Sequence, residues 1–305
     1  MTSTAKKMLV PYARLNEVEK QLVQKAWSGA ETAYVPYSYY PVGVAVLAEN
    51  NAGQSQIFSG GNIQNQSWDV DCCAERSMTF CAFEQGFRNF KIFCMVTVKK
   101  QGGTPCGLCR QVLVELASEA KLLCVQNKDN DVQIWTVREL LPEASVRQVI
   151  QIEELVESEK DLVSKAIEKA KFSLSPYTDI ADGAAVLARN KGGEEKIFEG
   201  MRIENSVYGG TISATRVAAN NALNSGYLEF LAVAVYADGP KEALSSSTGH
   251  SGQEEFVNIS GACLQTLRQF GQSTRILNVS VSKRSVGQAT ITQLLPGSFG
   301  PDAVL

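Results

Sequence analysis

Three cysteines and one glutamate stand at spacings that suit metal chemistry. Cys73-Ala74-Glu75-Arg76 is followed about thirty residues later by Pro105-Cys106-Gly107-Leu108-Cys109-Arg110-Gln111. Three thiolates suit Zn²⁺, a borderline-soft ion, and three protein ligands leave a fourth tetrahedral position open for water, as catalytic rather than structural sites do. Zinc lowers the pKa of a bound water towards about 7 and so supplies hydroxide at neutral pH. Glu75, two residues after a ligand, can sit beside that water and carry its proton without binding the metal. Both ligand sets are expected to open helices, whose free backbone N–H groups and dipole favour thiolate over thiol.

Seven of the eight cysteines, Cys72, Cys73, Cys81, Cys94, Cys106, Cys109 and Cys124, lie in the first half of the 305 residues, and Cys263 alone lies in the second. A disulfide framework would not be so lopsided, and the N-terminus carries no apolar stretch of the kind a secretory signal needs, so metal or redox chemistry is the first reading of the thiols. Cytoplasmic localisation is the matching expectation. A net charge of −3 offers no attraction for a phosphate backbone, which argues against nucleic acid as a partner. With 44% hydrophobic and 20% charged residues, and no long apolar run, the composition is that of a folded protein rather than a disordered one, with no membrane partner expected.

The length suggests about two domains, and the sequence repeats itself once. PYSYYPVGVAVLAEN from Pro36 matches PYTDIADGAAVLARN from Pro176, and IFSGGNIQN from Ile57 matches IFEGMRIEN from Ile197, at a constant offset of 140 residues. Leu140-Leu141-Pro142 matches Leu294-Leu295-Pro296 at an offset of 154, which places an insertion of 14 residues in the Ser/Gly-rich stretch around Ser245, where the single histidine, His250, also lies. Each copy predicts an amphipathic helix (about 16–33, then about 157–171), two strands, a helix of about 15 residues beginning near Cys73, an apolar strand KIFCMVTV, a helix through RQVLVELA and a strand KLLCVQ. That order implies an α/β fold, a mixed sheet covered by helices and duplicated in tandem. We expect a zinc-binding domain over residues 1–152 and a degenerate copy over 153–305.

The copies diverge where the chemistry lies. Cys73, Glu75 and Cys106 face Ser213, Thr215 and Ser260 in the second half, and only Cys109 retains its counterpart, Cys263. The joint loss of two thiols and the carboxylate identifies the four residues as one unit, so one zinc per chain is expected, in the first domain only. The pattern Cys-x-Glu followed by Pro-Cys-x-x-Cys is a zinc deaminase signature.

At these residues the chain resembles the cytidine deaminases, which hydrolyse free cytidine and deoxycytidine to uridine and deoxyuridine, a reaction of pyrimidine salvage. The resemblance extends through Pro36 to Gly43 and Gly61-Asn62-Ile63-Gln64-Asn65, and covers nearly the whole chain as two tandem copies. It implies that Cys73, Cys106 and Cys109 bind zinc and that Glu75 shuttles the proton. Arg76 would hydrogen-bond ligand thiolates, the Ala74 N–H would hold the pyrimidine O2, and the Thr104 carbonyl would accept from the 4-amino group. Asn62 matches the family asparagine on the ribose 3′-hydroxyl. Gln64 stands where its companion is usually Glu, and Tyr40 where Phe usually flanks the base. Family members of single domains assemble as tetramers that lend residues to neighbouring sites. By that resemblance Ser206, Tyr208 and Phe299 of the second half complete the first domain's pocket, and two chains form a homodimer that mimics the tetramer. Two alternatives stand beside this expectation: a non-catalytic zinc-binding pseudoenzyme, and a deaminase of a related aminopyrimidine nucleoside or nucleoside antibiotic.

Overall fold

A computed structural model describes residues 7–67, 70–98, 103–141, 148–240, 256–257, 259–298 and 300. The chain divides into two units, Met1–Leu141 with Pro296–Leu305, and Pro142–Leu295. In the first, Asn16 caps helix α1 (Glu17–Glu31) in a capping box with Glu19. Strands β1 (Val42–Asn50) and β2 (Ser55–Gly61) form a hairpin, followed by helix α2 (Ala74–Glu84), strand β3 (Phe87–Thr97), helix α3 (Gly107–Ala117), strands β4 (Lys121–Val125) and β5 (Val132–Thr136), and the short helix α4 (Val137–Leu140). The sheet order is β2-β1-β3-β4-β5. Only the β3–β4 pair is parallel, joined through α3, so the sheet is mixed.

Alternation along the strands builds a layer on each face. Val44, Val46, Phe93, Met95, Leu122 and Cys124 pack with Ala82 of α2 and Leu113 and Ala117 of α3. Ala45, Cys94, Val96 and Leu123, one residue out of phase, pack under Leu22, Val23, Ala26 and Ala30 of α1. Helix α1 lies so close to β1 that a Cβ on Gly43 would stand 2.0 Å from the Ala26 carbonyl oxygen. Glu19, 6% exposed, also takes an ion pair at 2.9 Å from Lys121 of β4, which fixes the helix along the sheet.

The second unit repeats this plan. Strand β6 (Gln148–Gln151), helix α5 (Glu157–Ala170), strands β7 (Ala181–Asn190) and β8 (Glu195–Met201), helix α6 (Ala214–Asn224), strand β9 (Tyr227–Asp238), helix α7 (Gly261–Phe270), strands β10 (Arg275–Val279) and β11 (Ser285–Thr290) and helix α8 (Ile291–Leu294) follow in order. Its sheet runs β6-β11-β10-β9-β7-β8. Even irregularities recur: β1 and β7 show register shifts at Leu47/Ala48 and Leu187/Ala188, and Tyr39 and Asp179, at equivalent places, have φ of 54° and 57°. The α/β fold with two mixed sheets and helical layers, duplicated in tandem, is therefore present as the sequence implies.

The unit boundaries differ from a cut at residue 152 at both ends. Residues 148–151 pair with β11, so they belong to the second sheet, because each copy's edge segment precedes its first helix. Val10 plays the corresponding part in the first unit through a bridge to Val132. At the other end, Pro296 and the residues after it belong to the first unit. The helix after Cys73 has 11 residues, not 15, and the strand VQIWT and both four-residue helices are absent from the sequence reading. The insertion around Ser245 and His250 lies outside the described residues.

Candidate active site

Helices α2 and α3 begin at the metal-type motifs. Cys73 is the N-cap of α2 and Cys106 the N-cap of α3, both with extended backbone and no capping hydrogen bond from the side chain. A thiol caps poorly, so the first-turn N–H groups stay available and the positive end of each helix dipole faces the sulfurs. The two helix starts bring the sulfurs of Cys73, Cys106 and Cys109 within 4.8 Å of one another, with Cys73–Cys106 at 3.9 Å and Cys106–Cys109 at 3.5 Å. Zinc bonded to sulfur at about 2.3 Å in a tetrahedron needs sulfurs about 3.8 Å apart. The donor set and spacing fit that ion, and this is a three-cysteine zinc-binding site in the first unit. Hydrogen bonds from Cys109 and Cys73 hold the Cys106 thiol well below its ordinary range, while the same contact with Cys106 pushes Cys109 up.

Glu75, in the first turn of α2, is 3% exposed. Burial and the neighbouring Cys73 raise its carboxyl to about 7. Thr79 donates to the Glu75 carbonyl rather than to its carboxylate, so the side chain is left for the site. Arg76 donates to the Asp71 carbonyl at 2.8 Å and to the Cys73 sulfur at 3.8 Å. Its counterpart Arg216 keeps the same backbone bond, to Thr211, although no thiolate faces it, so the anchoring of this arginine belongs to the fold and its sulfur contact to the first unit.

The other expected substrate contacts fall into two groups. Ala74 is fully buried at the first position of α2, and its N–H has no protein acceptor among the described residues. Thr104 is 6% exposed and immediately precedes Pro105 and Cys106. These two lie beside the sulfurs in sequence and structure. Asn62 and Gln64 are engaged with the protein itself. The Asn62 amide accepts from Val42 N and donates to the Tyr40 carbonyl, and Gln64 accepts from Ser38 N and donates to the Ser38 hydroxyl. Both thus hold the loop 36–42, a structural duty that sequence reasoning missed. Tyr40 is partly buried, with its hydroxyl pKa raised by burial. Ser206 is exposed in the second unit, and Tyr208 opens a 3-10 turn there (Tyr208–Gly210). Phe299 lies outside the described residues.

In the second unit the corresponding pocket is rebuilt. Ser213 and Ser260 cap α6 and α7, with the Ser260 hydroxyl accepting from Cys263 N, and both hydroxyls meet the Cys263 sulfur, at 2.9 and 3.1 Å. Asp182, at the position of Val42, accepts from Ala214 N at 3.1 Å, so a carboxylate of the chain occupies the amide whose counterpart is Ala74 N–H. Arg202, at the position of Asn62, pairs with Glu204 at 2.9 Å, and Glu204 accepts from Tyr177 N and Thr178 N as Gln64 does from Ser38. A cavity of about 150 Å³ remains, lined by Asp182, Arg202, Thr215, Cys263 and Asn278 among others.

A three-thiol centre at two helix starts with a buried carboxyl beside it, on a mixed sheet covered by helices, defines a zinc-binding deaminase domain. Residues 16–125 match the family model described as the cytidine and deoxycytidylate deaminase zinc-binding region. A cytidine deaminase of Sporosarcina psychrophila is 39% identical over 128 residues, 42% of this chain and 90% of that protein. One from Vibrio parahaemolyticus serotype O3:K6 is 32% identical over 209 residues, 65% of each chain. The crystal structure of cytidine deaminase from Burkholderia pseudomallei aligns at 33% identity with a TM-score of 0.38, over 42% of this chain and 98% of that one. The chain belongs to the cytidine deaminase family. Among the described residues no helix is long and apolar enough to cross a membrane.

Proposed function

We propose that the first unit deaminates a free pyrimidine nucleoside, cytidine or deoxycytidine, with water to give the uracil nucleoside and ammonia. The observation that carries this is the buried Glu75 carboxyl placed two residues after the first of three sulfurs at zinc spacing. Cys73, Cys106 and Cys109 would hold zinc, which when bound would supply a Lewis acid that acidifies water. Glu75 would take one proton from the attacking water and give it to N3 of the base, then carry the proton of the new C4 hydroxyl to the amine as the C4–N bond breaks, and a carboxyl raised to about 7 by burial suits both uptake and release near pH 7. Ala74 N–H is free to hold O2 of the base, and the Thr104 carbonyl accepts from the 4-amino group, which selects an amino over an oxo substituent. Arg76 offsets the negative charge of the thiolates at Cys73.

The sugar contacts favour a second substrate reading within the same chemistry. Asn62 and Gln64 spend hydrogen bonds on the loop 36–42, and Gln64 lacks the charge of a carboxylate, so a related aminopyrimidine nucleoside with a modified sugar is the competing substrate. The test is Glu75→Gln in the full chain. Zinc content should stay at about one per chain while cytidine turnover falls by at least about a thousandfold, in keeping with loss of a proton carrier. Turnover within about tenfold of the wild type would remove Glu75 from the reaction.

A further inference from the structure

Arg110 follows the last of the three cysteines and is 1% exposed, the bulkiest of the fully buried side chains among the described residues. A buried guanidinium is costly unless every N–H finds an acceptor and opposite charge lies near. Its Nε donates to the Pro105 carbonyl at 2.7 Å, Nη1 to the Leu140 carbonyl at 2.5 Å and the Pro296 carbonyl at 2.8 Å, and Nη2 to the Thr104 hydroxyl at 2.6 Å. The Thr104 hydroxyl passes its own proton to the Gly297 carbonyl at 2.6 Å. None of these partners is a carboxylate. Burial pulls the Arg110 pKa down to about 10, against the opposing effect of Cys124, Cys106, Cys109 and Glu75 nearby.

The partners come from three separate stretches of chain: the turn that carries Cys106, the end of α4, and the segment after residue 295. That last segment belongs to the first unit although the whole second copy precedes it in the chain. Gly297, with φ of 60°, turns the segment against Thr104, the γ-methyl group of which would lie 3.6 Å from a Cβ there. In the second copy the position equivalent to Arg110 is Leu264, buried at 2% exposure, which offers no hydrogen bond of its side chain to such a segment. A four-point clamp in the copy that carries the zinc ligands, closed by chain 186 residues after the arginine, is not required by the shared plan, because the second copy builds the same layers with a leucine at this position.

We propose that Arg110 and the Thr104 hydroxyl are positioning residues that lock Pro296–Gly297 to the turn before Cys106 and thereby fix the backbone of Thr104. Locking sets the Thr104 carbonyl, the group expected to read the 4-amino substituent, against a fixed wall. The kinetic arm of this inference rests on the deaminase reading; the docking arm does not.

The test uses the full-length holoenzyme with Thr104→Val, which keeps the shape and removes the hydroxyl, and Thr104→Ser, which keeps the hydroxyl. Carboxypeptidase digestion followed by intact mass reads docking directly. Passage through Ser298 and Gly297 should be about tenfold faster in Thr104→Val than in the wild type, the size of one lost buried hydrogen bond, and near the wild-type rate in Thr104→Ser. In Thr104→Val the KM for cytidine should rise about tenfold, with kcat changed by less than about threefold and zinc content unchanged. A chain stopped after Leu295 should show the raised KM already, and adding Thr104→Val to it should change KM by less than about twofold, because the two act through one contact. Equal digestion rates in wild type and Thr104→Val, additive effects in the shortened chain, or loss of zinc in Thr104→Val would each overturn the proposal. If no chain, wild type included, turns over cytidine, the functional reading fails while the digestion rates still decide the docking.

Discussion

Asp182 offers a quantitative test of how the second copy differs from the first. Burial raises its carboxyl from 3.8 to about 6, against the opposing pull of Ala214 N–H and Arg202. The difference of about two units is worth about 3 kcal/mol. Because the folded value is the higher one, the folded state holds the proton more tightly. Stability contributed by that proton is full below about pH 4, falls as pH rises, and is gone above about pH 6. Asp182→Asn keeps an acceptor for Ala214 N–H and removes the titration. The variant's stability relative to the wild type should therefore grow by about 2 kcal/mol between pH 4.5 and 7.5, whatever its value at the acid end. Unfolding in urea, read by pulse-labelled amide exchange of β7 and β9 peptides at one labelling pH, isolates the second unit. A difference that stays flat, or shrinks, as pH rises would refute the assignment of a strained carboxylate at this amide.

Three further outcomes follow from the same geometry. In the second copy, Ser213→Cys with Ser260→Cys places three thiols at two helix starts, and zinc analysis should rise from about one to about two per chain, with no gain in turnover because Thr215 replaces the glutamate. In the first copy, Cys106→Ser should drop zinc to well below one per chain, measured after dialysis against a chelator, because two thiolates cannot complete the site. Gly43→Ala sets a Cβ 2.0 Å from the Ala26 carbonyl and 2.5 Å from Ala30 N, both backbone of α1, so destabilisation of about 3 kcal/mol or more is expected in urea unfolding, at the upper end for overpacking.

Much of this organisation is written locally. Alternating apolar residues announce β1 and β3, Asn16 with Glu19 announces the start of α1, and the 140-residue offset announces the duplication. Cys73 and Cys106 at helix starts follow from the apolar spacing after them. What escapes a reading of the sequence is set by non-local contact. VQIWT pairs with β4, and its five residues carry no periodicity strong enough to stand alone. Gln148–Gln151 looks like linker until β11 supplies its hydrogen bonds. Gln64 reads as a substrate residue, and its bonds to Ser38, matched in the second copy by those of Glu204 to Tyr177 and Thr178, became evident only in three dimensions. Asp182 in place of Val42 was visible as a charge in an apolar strand, and its partner, Ala214 N–H, likewise became evident only in three dimensions. The tail's resemblance pointed Phe299 towards the first pocket, but membership of Pro296 and Gly297 in the first unit depends on a buried arginine 186 residues earlier, which no local pattern shows.

The central claim is that one copy of a duplicated fold holds zinc and turns over a pyrimidine nucleoside. Its most direct test pairs metal analysis of the purified chain with the ultraviolet absorbance of cytidine, deoxycytidine and free cytosine during incubation. The account predicts about one zinc per chain, loss of the cytidine or deoxycytidine absorbance, no change with cytosine, and no turnover in Glu75→Gln. Zinc at one per chain with none of the nucleosides consumed would contradict it and leave a metal-binding protein without this chemistry.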